Sequence, residues 1–163
     1  GRIVIENLRG SRNLPARLSE LRAALCRYHV FFDADNSGRG FVEAAQSEGL
    51  LAHSEFTLAT VPGLRESELE DMLEPALYSA SLLEQFRVDL SSPPFRRAGK
   101  WTVRLKAAFL HDGHPWNDST TAGTVKAAVA RLVSESPGSA LHAQRRSAFD
   151  ALVRTLETLL STG

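Results

Sequence analysis

The chain has 163 residues, 43% apolar and 23% charged, and its 19 basic and 19 acidic residues leave a formal net charge of zero. This is ordinary globular usage with room for a hydrophobic core, and the balance excludes an overall field for nucleic acid, leaving only local patches. The single Cys26 excludes an internal disulfide and a cysteine-built zinc site; no apolar run approaches the ~20 residues of a membrane span and no signal peptide is visible, so we expect a cytoplasmic protein without membrane contact.

Taken in order, Arg2 to Glu6 carries Ile3-Val4-Ile5, a short β-rich run. Asn13 is placed to cap a helix with Pro15 in its first turn, and Leu14, Leu18, Leu21 and Leu25 recur at helical spacing. Tyr28 to Phe32 is apolar at both parities, which predicts a central strand buried on both faces. A helix is expected from Gly38 to about Gly49, with Phe41, Val42 and Ala45 on one face, and a third strand from Glu55 to Val61. Strand, helix, strand, helix, strand implies a mainly parallel sheet with right-handed crossovers.

Pro62-Gly63 ends that strand, and a mostly helical pattern then runs from Glu68 to Phe86, bent near Pro75. Leu90 to Gly99 reads as a loop. Lys100 to Leu110 places Trp101, Leu105, Ala108 and Phe109 at helical spacing, and Thr121 opens a helix with Val125, Ala128, Val129, Leu132 and Val133 inside. A last amphipathic helix is expected over about Ser139 to Leu160, burying Phe149, Leu152, Val153 and Leu156, either completing the core or pairing with a second copy. The expected architecture is an α/β core over residues 1–90 with a helical extension over 91–163.

The chemistry concentrates where the central strand ends, at Asp33-Ala34-Asp35-Asn36-Ser37-Gly38. The carboxyl edge of such a sheet is where ligands bind. Two carboxylates one residue apart repel unless a cation lies between them, so Asp33 and Asp35 are candidate ligands of a hard divalent metal. Past the third strand, Glu66, Glu68, Glu70 and Asp71 put four acids within six residues. If the strands are neighbours, these acids face Asp33 and Asp35 across one edge. Two ions about 3.5–4 Å apart can clamp a phosphoryl displacement.

Plainer readings exist for both groups: a turn held by Asx-type bonds for Asp33 and Asp35, and first-turn acids at a helix N-terminus for the second cluster. A calcium loop counted from Asp33 would need its acid at Ala44, whereas Glu43 falls one place early. A phosphatase reading would make Asp33 a nucleophile.

Charge for a nucleic-acid partner lies in Phe95 to Lys106, where Arg96, Arg97, Lys100, Arg104 and Lys106 place five cations in eleven residues beside Phe95 and Trp101. The cations are candidates to meet phosphates and the rings to stack on unpaired bases; a solvated loop and helix face is the plainer alternative. Arg9, Arg12 and Arg39 add positive charge near the predicted edge. His111-Asp112-Gly113-His114 lacks a convincing third zinc ligand and reads as loop.

Asp33-Ala34-Asp35 after a buried strand resembles the TOPRIM domain of topoisomerases, primases and several nucleases. More narrowly, the chain resembles the carboxy-terminal nuclease half of the overcoming-lysogenization-defect (OLD) family. That likeness rests on Gly10-Ser11-Arg12-Asn13-Leu14, Asp33 to Gly38, Glu68-Leu69-Glu70-Asp71-Met72-Leu73 and Val125 to Ala130, and covers about residues 2–135. It implies a TOPRIM-like three-layer fold and a DNA nuclease using Mg2+ or Mn2+, with Ca2+ as a non-catalytic substitute. It implies Asp33, Asp35, Glu68, Glu70 and Asp71 as metal ligands and a downstream lysine, Lys126 by position with Lys106 second, to offset phosphoryl charge. Ser37 and Gly38 would shape the turn, Gly38 letting a phosphate approach. TOPRIM domains also carry a glutamate on a first strand; the early candidate here is Glu6, 27 residues before Asp33, so that strand is expected to be missing. No Gly-x-x-x-x-Gly-Lys-Ser/Thr occurs in the chain, so the family's ATPase is expected as a separate amino-terminal domain or partner.

Overall fold

A computed structural model describes residues 2–8 and 13–161. Arg9, Gly10, Ser11 and Arg12, which carry part of the family likeness and two of the expected cations, lie outside the described residues. The chain is mixed α/β, with six helices among the described residues and a small two-stranded parallel sheet flanked by helices. It divides into two compact units, Gly1–Thr60 with Ser147–Gly163, and Val61–Arg146. The divisions fall there and not near residue 90, because Leu73, Tyr78, Leu82, Val88 and Leu90 bury their side chains with those of the following helices. Among the described residues no helix is long and apolar enough to cross a membrane.

In the first unit, α1 (Leu14–Ala23) buries Leu14 and Leu18. Its apolar stripe ends before Leu25, which is 92% exposed. The helix closes with Cys26 N–H donating to Leu21 O (2.9 Å) and Leu25 N–H to Arg22 O (3.0 Å). This is a Schellman closure, and it puts Leu25 in the left-handed position usually given to glycine, with φ 55°.

Strands β1 (Val30–Asp33) and β2 (Phe56–Ala59) pair in parallel, Val30 opposite Phe56 and Asp33 opposite Ala59. Between them runs α2 (Asn36–Ser47), whose Val42 and Ala45 are buried as expected. They pack with Leu14, Leu18, Val30 and Leu51, and α6 (Ser147–Ser161) packs against β2.

Two expectations fail here. Residues 2–8 form no strand; Ile3, Val4 and Ile5 are 43%, 68% and 90% exposed. Strand propensity needs a ladder and a face to bury, and this segment is instead tethered by Glu6, whose carboxylate accepts from Arg17 at 2.6 and 2.8 Å. Nor is β1 buried on both faces. Val30 is buried, but Phe31, Phe32 and Asp33 are half-buried in a sheet of two strands.

The second unit is organised around Trp101, whose side chain is fully buried. Its indole N–H donates to the Tyr78 hydroxyl at 3.2 Å. Around it pack α3 (Ser79–Phe86), α4 (Trp101–His111) and α5 (Thr121–Glu135) through Leu82, Leu105, Ala108, Phe109, Val125 and Val129. The helical pattern expected over 68–86 breaks into 3-10 turns at Leu69–Met72 and Pro75–Leu77 before α3. Between the turns, Leu73 is extended and bridges antiparallel to Leu141. That bridge also delays the last helix, which starts at Ser147 and not near Ser139: His142 N–H donates to Met72 O and Glu74 N–H to Ala140 O, both at 2.8 Å. In α6, Phe149, Leu152 and Leu156 are half-buried, whereas Val153 is exposed.

Candidate functional site

Helix α4 starts without a cap of its own. Lys100 precedes it and makes no side-chain capping bond, so the first N–H groups need acceptors from elsewhere. The turn Leu69–Met72 supplies them. Trp101 N–H donates to Asp71 Oδ2 at 3.0 Å, and Thr102 N–H to Glu68 Oε2 at 2.8 Å. The Thr102 hydroxyl donates to that same Glu68 oxygen at 2.6 Å. Carboxylates at a helix N-terminus are favourable in themselves.

Three cations balance the three acids. Lys100 Nζ is 3.3 Å from Glu68 Oε1. Lys126 Nζ, from α5, is 3.0 Å from Glu70 Oε2 and 3.8 Å from Glu68 Oε2. Arg104 pairs with Asp71 Oδ1, donates to Phe95 O at 3.2 Å, and stacks its guanidinium 4.7 Å from the Phe95 ring centre. Burial raises the Glu70 carboxyl above the usual carboxylate range; the Lys126 ammonium opposes that shift, and Glu68 adds to it.

The geometry sorts the acids. Asp71 has a fully buried side chain, and its two oxygens hold the Trp101 and Glu68 amides and Arg104. It fastens α4. Glu68 and Glu70 instead face lysines whose side chains are 24% and 32% exposed. Their carboxylate oxygens are paired with ammonium groups on flexible stems, which a divalent cation would have to displace. Among the described residues, no three His, Cys, Asp or Glu side chains converge to hold an ion by themselves.

In the first unit, Asp33 ends β1 and Asp35 caps α2, its Oδ1 accepting from Gly38 N–H at 2.9 Å. For Asp35 this is the Asx-type bond of the plainer reading. Gly38 is buried, and a Cβ there would stand 2.1 Å from the Asp33 carbonyl oxygen. The close approach that needs glycine is therefore to the chain's own backbone, not to a phosphate. Ser37 is exposed in the first turn of α2. A separate open cleft of about 570 Å³ in this unit, lined by Arg22, Cys26, Tyr28, Glu55 and Thr155 among others, includes none of the predicted site residues.

The basic stretch differs from its expected role. Phe95 and Trp101 are buried, so neither ring can stack on a base. Lys100 and Arg104 join the acidic turn, and Lys106 pairs with Asp118 at 3.1 Å. Arg96 and Arg97 lie exposed on the loop. His111 bonds Asp112 at 2.8 Å, and His114 bonds Arg87 O at 3.1 Å.

Sequence reasoning singled out Lys126, Glu68 and Glu70 separately, as a charge-offsetting lysine and as metal ligands, and missed Thr102 and the Asp71–Arg104 pair. The available signal was a helix opening Gly-Lys-Trp-Thr with no capping residue at Lys100, while acids upstream lacked partners. Comparison of the chain with protein-family models, curated proteins and solved structures found no match.

Proposed function

We propose that the chain is a divalent-metal-dependent DNA nuclease domain of the TOPRIM, OLD-like kind. The observation that supports this most is the meeting of Lys126 with Glu68 and Glu70, from which it lies more than fifty residues away in sequence. In this reading Glu68 and Glu70, and in the first unit Asp33 and Asp35, are the carboxylates that hold Mg2+ or Mn2+. The bound ions would supply Lewis-acid activation of water and neutralise phosphate charge, and magnesium would keep several waters of its own. Lys126 offsets charge building on the phosphoryl oxygens. Arg96 and Arg97 supply sequence-independent contacts to the DNA backbone.

The test is Mn2+-dependent nicking of supercoiled plasmid by the full chain. Loss of nicking in Asp33→Ala/Asp35→Ala and in Glu70→Gln is the expected result, and activity surviving both changes overturns the assignment. A second reading, a non-catalytic TOPRIM-like assembly module working with a partner ATPase, is favoured by the structural employment of Asp35 as a cap and Asp71 as a buried ion-pair partner. It predicts no nicking at any metal concentration and retention of a partner ATPase by the double alanine variant.

A further inference from the structure

We propose that the open cleft of the first unit binds a small monocarboxylate with an apolar body, independently of the metal reading above. The cleft measures about 570 Å³, within the range of about 300–1,000 Å³ typical of small-molecule sites. Its walls come from the end of α1, the 3-10 turn His53–Glu55 and the carboxyl half of α6.

The head group follows from charge. Among the described residues lining the cleft, two guanidinium groups, Arg22 and Arg27, stand against one carboxylate, Glu55. Arg22 is held in place. Its Nε donates to the Tyr28 hydroxyl at 2.7 Å, that hydroxyl donates to Leu50 O at 3.2 Å, and Arg22 Nη1 donates to Gly49 O at 2.8 Å. Glu55 is already engaged: its Oε2 accepts from Ala52 N–H at 2.7 Å and stays 3.8 Å from Arg22 Nη2, beyond hydrogen-bond reach. The guanidinium is thus oriented before a ligand arrives, with its side chain 42% exposed. A donor fixed in advance loses little freedom on binding. One positive charge in excess matches a carboxylate, whereas a phosphate monoester, with nearly two negative charges, leaves one unmatched.

The apolar body follows from Leu25. This leucine lines the cleft, is 92% exposed and has φ 55°. That backbone region disfavours a Cβ, and glycine would close α1 with less strain. The side chain returns nothing to the fold, and strain held at a ligand site is one reason such a residue persists. With Tyr28 and Leu159, Leu25 supplies the surface that an apolar body covers.

The experiment is amide NMR titration of the full chain with 4-phenylbutyrate, 4-phenyl-1-butanol and acetate, which carry body and charge, body alone, and charge alone. 4-Phenylbutyrate is expected to shift the signals of Arg22 to Tyr28 and Thr155 to Leu159 with a Kd of about 1 mM, and the alcohol and acetate to bind about tenfold more weakly. Leu25→Gly is expected to weaken 4-phenylbutyrate about tenfold while the chain melts higher, a combination that damage to the fold does not produce. Arg22→Gln is expected to weaken it about tenfold and to make acid and alcohol bind alike. If Arg22→Gln does not fold, Arg27→Gln, which changes an exposed side chain, is expected to lower affinity about threefold. Equal affinity of the wild-type chain for acid and alcohol, or unchanged affinity in Leu25→Gly or in the folded arginine variant, overturns the site. So does an absence of shifts in these segments at about 10 mM 4-phenylbutyrate.

Discussion

Lys126 Nζ lies 3.0 Å from the Glu70 carboxylate, although 56 residues separate the two in the chain. The pair is a local charge balance, since burial alone pushes Glu70 toward its neutral form and Lys126 draws it back. In Lys126→Gln that balance is lost. Plasmid nicking is expected to disappear, while Mn2+ binds at least as tightly, because no ammonium competes for Glu70. Weaker Mn2+ binding by titration calorimetry would show that Lys126 supports the ion instead of standing in for it.

Asp71 tests the division between structural and ligand acids. Its side chain is wholly buried and that of Arg104 is 12% exposed. Breaking a buried ion pair from one side typically costs about 3–5 kcal/mol. Asp71→Asn is therefore expected to lower the urea midpoint severely, whereas Glu70→Gln shifts it little. Similar midpoints for the two variants would refute the division.

Gly38 gives a prediction in the first unit. A methyl group there meets the Asp33 carbonyl oxygen, a backbone atom that cannot swing aside. Overpacking of this kind costs about 1–3 kcal/mol. Gly38→Ala is expected to destabilise the protein by that amount in chemical denaturation, with or without metal. A neutral result would mean that the β1–α2 junction is looser than described.

Leu25 offers the opposite sign. It holds a left-handed backbone conformation at the end of α1 and buries almost nothing. Glycine removes the Cβ conflict, which costs about 1–2 kcal/mol in a left-handed conformation, against some added freedom in the unfolded chain. Leu25→Gly is expected to raise the melting temperature by about 2–4 °C. A fall in the melting temperature contradicts the strain.

The exposed amino-terminal segment should detach in acid. The Arg17 hydrogen bonds hold the Glu6 carboxyl below its usual value of 4.5. A depressed folded-state pKa means the tether is complete above that value and is lost as pH falls through the lowered one. NMR signals of Ile3 to Leu8 should sharpen in that range, and in Glu6→Gln they should be sharp at every pH. Signals that ignore pH would remove the tether from the account.

The sequence was most legible where burial and periodicity agree. Val42 and Ala45 of α2, the Trp101–Phe109 stripe of α4, and Val125 and Val129 of α5 sit inside as their spacing predicts. Ile3-Val4-Ile5 misled because strand propensity says nothing about whether a neighbouring strand exists. The cations of the 95–106 stretch misled because their partners, Glu68, Asp71 and Asp118, come from elsewhere in the chain. Linear spacing identified acids and bases separately; pairing them required the path of the 3-10 turn at Leu69–Met72.

The first unit takes its residues from both sides of the second. On a ribosome, β2 emerges and then waits for α6 while all of residues 61–146 is made. The second unit is continuous and can close on Trp101 as soon as α5 and the Leu141 bridge are out. Vectorial synthesis thus reverses the order along this stretch: the middle segment matures first, and residues 1–60 stay dependent on α6.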